Sequence, residues 1–186
     1  MGGEDMAEVF LRRLSRWQAD RERDAVADLY VEAYRGTAGE EFHGRQDYLR
    51  RLDEHMQRTG FELVIAGADG RLVGSVYGYR ADRTDRWWAG LHGEPPAEMT
   101  ELTAAGRAFV MTELMVLPSF RRRGVAGRLQ ENLLAPSGIA LAVTLTDQEN
   151  ASARAALQSW TWESLGKITP ASEGPPLEAW TRRLPR

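Results

Sequence analysis

The stretch that most constrains this chain is Leu117-Pro118-Ser119-Phe120-Arg121-Arg122-Arg123-Gly124-Val125-Ala126-Gly127-Arg128-Leu129. An apolar run precedes it, Phe109 to Leu117, with the length and composition of a strand. Val125, Leu129 and Leu133 follow at the spacing of one helical face, which predicts a helix over 122–134. Pro118 closes the strand, because its ring cannot continue a central one. A strand that feeds a helix through Gly124, Ala126 and Gly127 leaves the first helical N–H groups unpaired. Those amides and the helix dipole favour an anion. Any fold for this chain must bring a strand end, a glycine turn and a helix start to one point, and that point reads as a phosphate cradle.

The arginines at 121, 122, 123 and 128 are a local feature, because the whole chain carries a formal net charge of −3. Nucleic acid and anionic membrane are therefore not expected partners. The 186 residues predict a single domain over 1–186, with 1–6 as a disordered tail. There is no cysteine, which excludes disulfides, thiolate metal sites and a cysteine nucleophile. His43, His55 and His92 show no ligand spacing, so no metal site is expected. Glu40, Glu41 and His43 sit close together on what reads as a solvated loop. No run is long and apolar enough to span a bilayer, and the acidic start Met1-Gly2-Gly3-Glu4 does not resemble a signal peptide. A cytoplasmic protein is expected.

In chain order, Ala7–Leu14 reads as an edge or half-exposed strand. Asp20 is a candidate cap for a helix that buries Val26, Leu29, Tyr30 and Ala33 and ends at Gly36. After a loop from Thr37 to Gly44, a second helix over 45–57 buries Tyr48, Leu49, Leu52 and Met56, with Gly60 as its stop. Phe61–Ala66 and Arg71–Tyr79 pair through the Asp69-Gly70 hairpin signal. Gly74 and Gly78 share a face of the second strand and invite close approach of a helix or another backbone. The 80–107 segment is an insertion with a short helix over 97–105; its Trp87-Trp88 pair either lines a functional loop or covers a sheet edge. Ile139–Leu145 is a central strand. Asn150 is a candidate cap for a helix in which Ala153, Ala156, Leu157 and Trp160 fall at i, i+3, i+4, i+7. Trp162–Ile168 and Leu177–Leu184 are the last strands, the final one a candidate for pairing across a homodimer. The order βααββ, insertion, βαβαββ predicts a mixed α/β (α+β) sheet of six to seven strands with about four helices on its faces.

Two of these segments resemble those of a known family. Arg121-Arg122-Arg123-Gly124-Val125-Ala126 is similar to the Arg/Gln-x-x-Gly-x-Gly/Ala pattern of the GNAT superfamily of acyl-CoA-dependent N-acyltransferases. The preceding Glu113-Leu114-Met115-Val116-Leu117-Pro118 and the following Gly127-Arg128-Leu129 give the motif its context. Asn150-Ala151-Ser152-Ala153, opening a helix that ends at Trp160-Thr161-Trp162-Glu163, is similar to the family's Asn-x-x-Ala…Gly-Phe-Glu segment. The resemblance implies a mostly antiparallel sheet with a V-shaped splay between its two central parallel strands. It implies acetyl-CoA as acyl donor, its pyrophosphate held by Arg121, Arg122, Arg123, Gly124, Val125, Ala126 and Gly127. Pantetheine would run along Met115, Val116 and Leu117, with the helix that carries Asn150 and Ala153 on the other side. A strand amide near Leu114 or Met115 would polarise the acyl carbonyl. Leu157 and Thr161 depart from the pattern, since the family carries an acid-donating tyrosine at the first position and glycine at the second.

Attack on a thioester requires a neutral amine, so an ammonium acceptor must lose a proton. Glu113, on a strand with apolar neighbours, is the candidate general base; otherwise it forms a structural pair with an arginine or points to solvent. Glu101 and Asp147 rank behind it. Tyr79, Trp87 and Trp88, with Tyr77, are candidates for an aromatic wall around the acceptor, and with the carboxylate they suit a cationic amine. The turn lacks the Gly-Lys-Ser/Thr of a P-loop and the placement of a dinucleotide fingerprint. Two functions remain: an N-acetyltransferase acting on a primary amine, small molecule or peptide amino terminus, and a catalytically weak or inactive acyl-CoA-binding module that serves as a sensor or interaction partner. The acceptor is not legible in the sequence.

Overall fold

The computed structural model describes residues 7–35 and 44–185. The expected tail 1–6, the Gly36 stop and the loop carrying Glu40, Glu41 and His43 lie outside these residues. The elements run β1 (Phe10–Leu14), α1 (Arg16–Ala33), α2 (Gly44–Met56), β2 (Glu62–Ala68), β3 (Arg71–Arg80), α3 (Ala97–Ala104) and β4 (Ala108–Val116). A 3-10 turn at Pro118–Phe120 leads to α4 (Val125–Leu134), β5 (Leu141–Asp147), α5 (Ala151–Ser159), β6 (Glu163–Ile168) and β7 (Leu177–Arg183). Among the described residues no helix is long and apolar enough to cross a membrane.

The strands form one seven-stranded sheet in the order β1-β2-β3-β4-β5-β7-β6. Every pairing is antiparallel except β4 with β5. The β2–β3 connection is the expected tight turn, with Asp69 at φ 51° and Gly70 at φ 76°, both positive as a two-residue hairpin of this type requires. The final strand β7 lies between β5 and β6, so both of its edges are already paired. The sheet edges belong to β1 and β6, which removes the expectation that the last strand joins two copies.

The faces sort the helices. Tyr77 of β3 hydrogen-bonds to His55 of α2, and Tyr48 of α2 stacks on Tyr30 of α1. Val110, which pairs opposite Tyr79, packs against the small apolar cluster that includes Met99 of α3. The first three helices therefore share one face. On the opposite face a Cβ on Gly74 would come within 3.1 Å of the Leu129 side chain of α4, and Gly127 of α4 sits against Trp160 just past α5. The alternate glycines of β3 thus serve close packing: a Cβ on Gly78 would collide with the Val110 carbonyl oxygen. The core joins α1, α2 and α4 to the sheet through Val26, Leu29, Tyr30, Leu52, Val76 and Leu129, all nearly or fully buried.

Three boundaries differ from the sequence expectation. Asp20 does not cap α1; Ser15 does, its hydroxyl accepting from the Gln18 amide while the Gln18 side chain accepts from Ser15 N–H. This reciprocal box begins the helix one turn earlier and places Asp20 inside it. α4 starts at Val125 rather than Arg122, because Arg122 (φ 60°) and Gly124 (φ 76°) both adopt left-handed backbone that no helix continues. The first strand begins at Phe10, three residues after Ala7.

Candidate active site

The glycine turn before α4 differs from the starts of α1 and α5. α1 has its capping box, and α5 has the Asn150 carboxamide, which accepts from the Ala153 amide at 3.0 Å. The N-cap of α4 is Gly124, with no side chain to offer. The first helical turn closes only when Arg128 N–H reaches the Gly124 carbonyl at 3.0 Å. The amides of Val125, Ala126 and Gly127 precede that bond and receive no side-chain cap. Nothing lies within 4 Å of a Cβ built on Gly124, so the turn opens outward. These donors fit an anionic group with several oxygens, such as a pyrophosphate.

The four arginines divide. Arg121 donates from Nε to the Val116 carbonyl at 2.9 Å and from Nη2 to the Ala33 carbonyl at 3.0 Å, so it ties the end of β4 to the end of α1. Arg128 donates to the Val9 carbonyl at 3.1 Å. Arg122 and Arg123 are exposed, and Arg123 lies over the Phe120 ring at 5.2 Å. Among the described residues neither of these two has an acidic partner, which leaves them as the outward-reaching cations of the turn.

Leading into the turn, β4 and β5 stay paired only at Ala108–Leu141, Phe109–Ala142 and Val110–Val143. Beyond that point β5 pairs with β7 alone, and the β5-facing edge of β4 is free from Thr112 to Val116. Thr144 Oγ1 donates to the Met111 carbonyl at 2.9 Å where the strands part. Met115, Val116 and Leu117, the residues expected to face pantetheine, lie along this freed segment and just after it. On its other edge β4 bulges. Ser75 pairs with Met115 and Tyr77 with Thr112, so two steps on β3 match three on β4. Glu113 occupies the bulge at φ 42°, a conformation rare for residues other than glycine and concentrated at functional sites.

The bulge aims Glu113 into a polar cluster under α1 and α2. Arg51 of α2 donates from Nη1 to the Glu113 carboxylate, while its Nη2 lies 3.4 Å from the Tyr30 hydroxyl. The guanidinium sits 5.8 Å from the Tyr30 ring and 5.9 Å from the Tyr48 ring, which stack on each other at 4.4 Å. His55 Nδ1 is 2.9 Å from the Tyr77 hydroxyl, and the His55 ring stacks on Tyr79 at 5.2 Å. Four buried side-chain atoms have no hydrogen-bond partner among the described residues: Tyr48 Oη, Arg51 Nε, Ser75 Oγ and Thr112 Oγ1. Burial pushes the Tyr48 and Tyr77 phenols up, with nearby negative groups, Glu113 among them, adding to it. Both remain protonated donors near neutrality. Burial, followed by the charges of Arg58 and Arg51, pulls the His55 imidazole below its ordinary value of 6.5.

Of the residues singled out from sequence, Glu113 and the 115–117 and 121–127 segments gather along one run of β4 and its exit. Asn150 and Ala153 open α5 beyond the splayed end of β5. Trp87 and Trp88 lie elsewhere. Trp87 donates to Thr103 Oγ1 at 3.0 Å and packs with Ala81, Met99, Ala108, Leu141 and Val143, around the end of the β4–β5 pair that stays closed. Tyr79 stands one same-face step from Tyr77, under Arg58 at 4.4 Å. Leu157 is buried at 4% exposure in the core, and Thr161 adopts φ 64°, the backbone that suits the glycine it replaces. Sequence reasoning does not single out Arg51, Tyr48 and His55 as site residues. Their signal is the i, i+3, i+7 stripe that puts an arginine and a histidine on the same helical face as a buried tyrosine.

The model of the acetyltransferase (GNAT) family matches residues 23–159. No curated protein matches the chain. Among solved structures, PH1933 from Pyrococcus horikoshii OT3 superposes with a TM-score of 0.65 at 16% identity, covering 96% of this chain and 100% of its own. The yncA protein of Salmonella typhimurium, solved with its cofactor acetyl-CoA, gives 0.61 at 10% identity over 97% of this chain and 96% of its own. The paia N-acetyltransferase of Thermoplasma acidophilum, in complex with coenzyme A, gives 0.61 at 12% identity over 95% and 99%. At these identities the likeness is one of fold.

Proposed function

This chain belongs to the acetyltransferase (GNAT) family, and from that premise we propose that it is an N-acetyltransferase that moves an acetyl group from acetyl-CoA to a primary amine. The observation that carries the reading is the parting of β4 from β5 after Val110, which frees a strand edge that runs to the uncapped start of α4. The Val125, Ala126 and Gly127 amides, with Arg122 and Arg123, would hold the pyrophosphate through several donors at once. Arg121, Gly124 and Arg128 shape the turn that presents them. The freed edge from Thr112 to Leu117 would take the amide groups of pantetheine as a neighbouring strand would.

Acetyl-CoA supplies the acetyl group as a thioester: the N–C bond forms, the C–S bond breaks, and CoA thiol and one proton are released when the acceptor begins as an ammonium. Glu113, which sits in the bulge and is paired with Arg51, would accept that ammonium's proton. No tyrosine stands on α5, so this reading assigns no side chain as the acid for the departing thiolate, which water can protonate. The buried Leu157 favours a second reading, an acyl-CoA-binding module without transfer. Thiol release measured over a panel of primary amines decides between them. Amine-stimulated release supports the enzyme; tight acetyl-CoA binding with no stimulation by any amine establishes the binding module.

A further inference from the structure

Resting on the transferase reading, the geometry points to an acceptor class: an amine that carries an anionic group a short distance away, an α-amino acid or similar zwitterion, with Arg51 as the residue that takes the anion. The amine would meet Glu113 and the anion would meet Arg51. The expectation of a purely acidic and aromatic pocket suited to a cationic amine comes from Glu113 and the aromatics alone. The structure adds a guanidinium in direct contact with that carboxylate.

Charge balance in a poorly hydrated place decides the class. Arg51 and Glu113 are each other's counter-charge, with side chains only 25% and 18% exposed. A simple ammonium that engaged Glu113 would compete with Arg51 and leave one cation without a partner, which is costly away from water. A dication would bring a second positive charge beside the Arg51 guanidinium, whose own counter-charge is Glu113. A zwitterion exchanges both partners at once: its ammonium replaces the guanidinium on Glu113, and its anion replaces the carboxylate on Arg51. No charge is stranded. The donors for the anion are present. Arg51 Nε is buried without a partner among the described residues, as is the Tyr48 hydroxyl, whose ring lies beside the guanidinium. An arginine edge with a free Nε is the side that receives a carboxylate in a two-pronged bond.

The test uses acceptor pairs that differ only by the carboxylate: L-phenylalanine and phenethylamine, L-methionine and 3-(methylthio)propylamine, L-lysine and cadaverine. In the wild-type protein kcat/KM for the best acid-bearing member is expected to exceed that of its decarboxylated partner by on the order of 100-fold or more. Equal or faster turnover of the decarboxylated members overturns the proposal. Arg51→Met should collapse the ratio toward one, and Arg51→Lys, which keeps the charge but loses the fork, should fall between. A purely structural Arg51 would lower both members alike and leave the ratio intact, which also overturns it. Equilibrium dialysis of the same amino acids against CoA-saturated protein separates this proposal from the transferase reading. If no amine is acetylated but an amino acid binds and Arg51→Met abolishes that binding, the transfer reading fails and the assignment of the zwitterion site stands. If nothing binds and nothing turns over, both fail.

Discussion

The glycine turn before α4 and the polar cluster under α2 lie at opposite sides of one short run of β4, yet they are built differently. The turn is made from consecutive residues. Its donors are backbone amides of Val125 to Gly127, and its side chains either brace it, as Arg121 and Arg128 do, or reach outward, as Arg122 and Arg123 do. The cluster draws on four separate elements: Tyr30 from α1, Arg51 and His55 from α2, Tyr77 from β3 and Glu113 from β4. A group common to every donor molecule can be held by a fixed backbone cradle. A variable acceptor is better met by side chains, which can be exchanged without altering the sheet. On the proposed function, the difference would put donor binding in local backbone and acceptor choice in tertiary contacts.

The strongest way to break this division is to fill the cradle. Gly124→Asp places a carboxylate at the N-cap of α4, where it both claims the free amides and repels a phosphate. Losing two charge-assisted bonds at about 1.5–3 kcal/mol each weakens acetyl-CoA binding by about 1,000-fold, read by titration calorimetry. Affinity within about threefold of wild type would remove the turn from donor binding. The cluster answers to a different variant. Glu113→Gln keeps the shape of the bulge residue and removes the proposed base, so turnover should drop by about 100-fold while acetyl-CoA affinity holds. A fall in affinity equal to the fall in turnover would mean that the two regions are not separable.

A finer test lies inside the arginine run, where adjacent side chains carry different duties. Arg121→Met removes two bonds to backbone carbonyls, Val116 and Ala33, and should cost about 1–2 kcal/mol of stability in urea. Arg123→Met removes a cation with no acidic partner among the described residues; it should leave stability unchanged and weaken acetyl-CoA binding about tenfold. Reversed outcomes would exchange their roles.

The same contrast explains which features are legible in the amino-acid sequence. The order of the elements, the hairpin at Asp69-Gly70, the Asn150 cap and the turn at 117–129 each follow from residues close along the chain, where periodicity and backbone rules act. The start of α4 does not, because Arg122 adopts positive φ, which no pattern of side-chain types announces. The place of β7 inside the sheet is equally hidden, because strand order is set by tertiary pairing. Glu113 stands out through its apolar neighbours, but its bulge and its partner Arg51, 62 positions earlier, do not. Trp87 and Trp88 draw attention as aromatics in an irregular insertion. The second small core around Met99 and Val143, which the Trp87 side chain completes, exists only once the sheet is assembled.

The smallest expected effect separates the two regions by pH. The turn at 117–129 contains no histidine. The cluster contains His55, whose imidazole is held below its ordinary 6.5 first by burial and then by Arg58 and Arg51, with Glu54 acting in the opposite sense. As pH falls below about 6.5, the unfolded chain takes up a proton at this position before the folded one does. Stability that is fully present above about 6.5 is therefore lost as pH drops toward the folded value. His55→Gln keeps a hydrogen-bonding group near the Tyr77 hydroxyl and removes the titration. The melting temperature followed by circular dichroism from about pH 7.5 to about pH 5.5 should decline less steeply in this variant than in the wild type. Identical slopes would show that His55 is not coupled to folding, and the packing of α2 against Tyr77 and Tyr79 would then have to be looser than the 2.9 Å hydrogen bond and the stacked ring require.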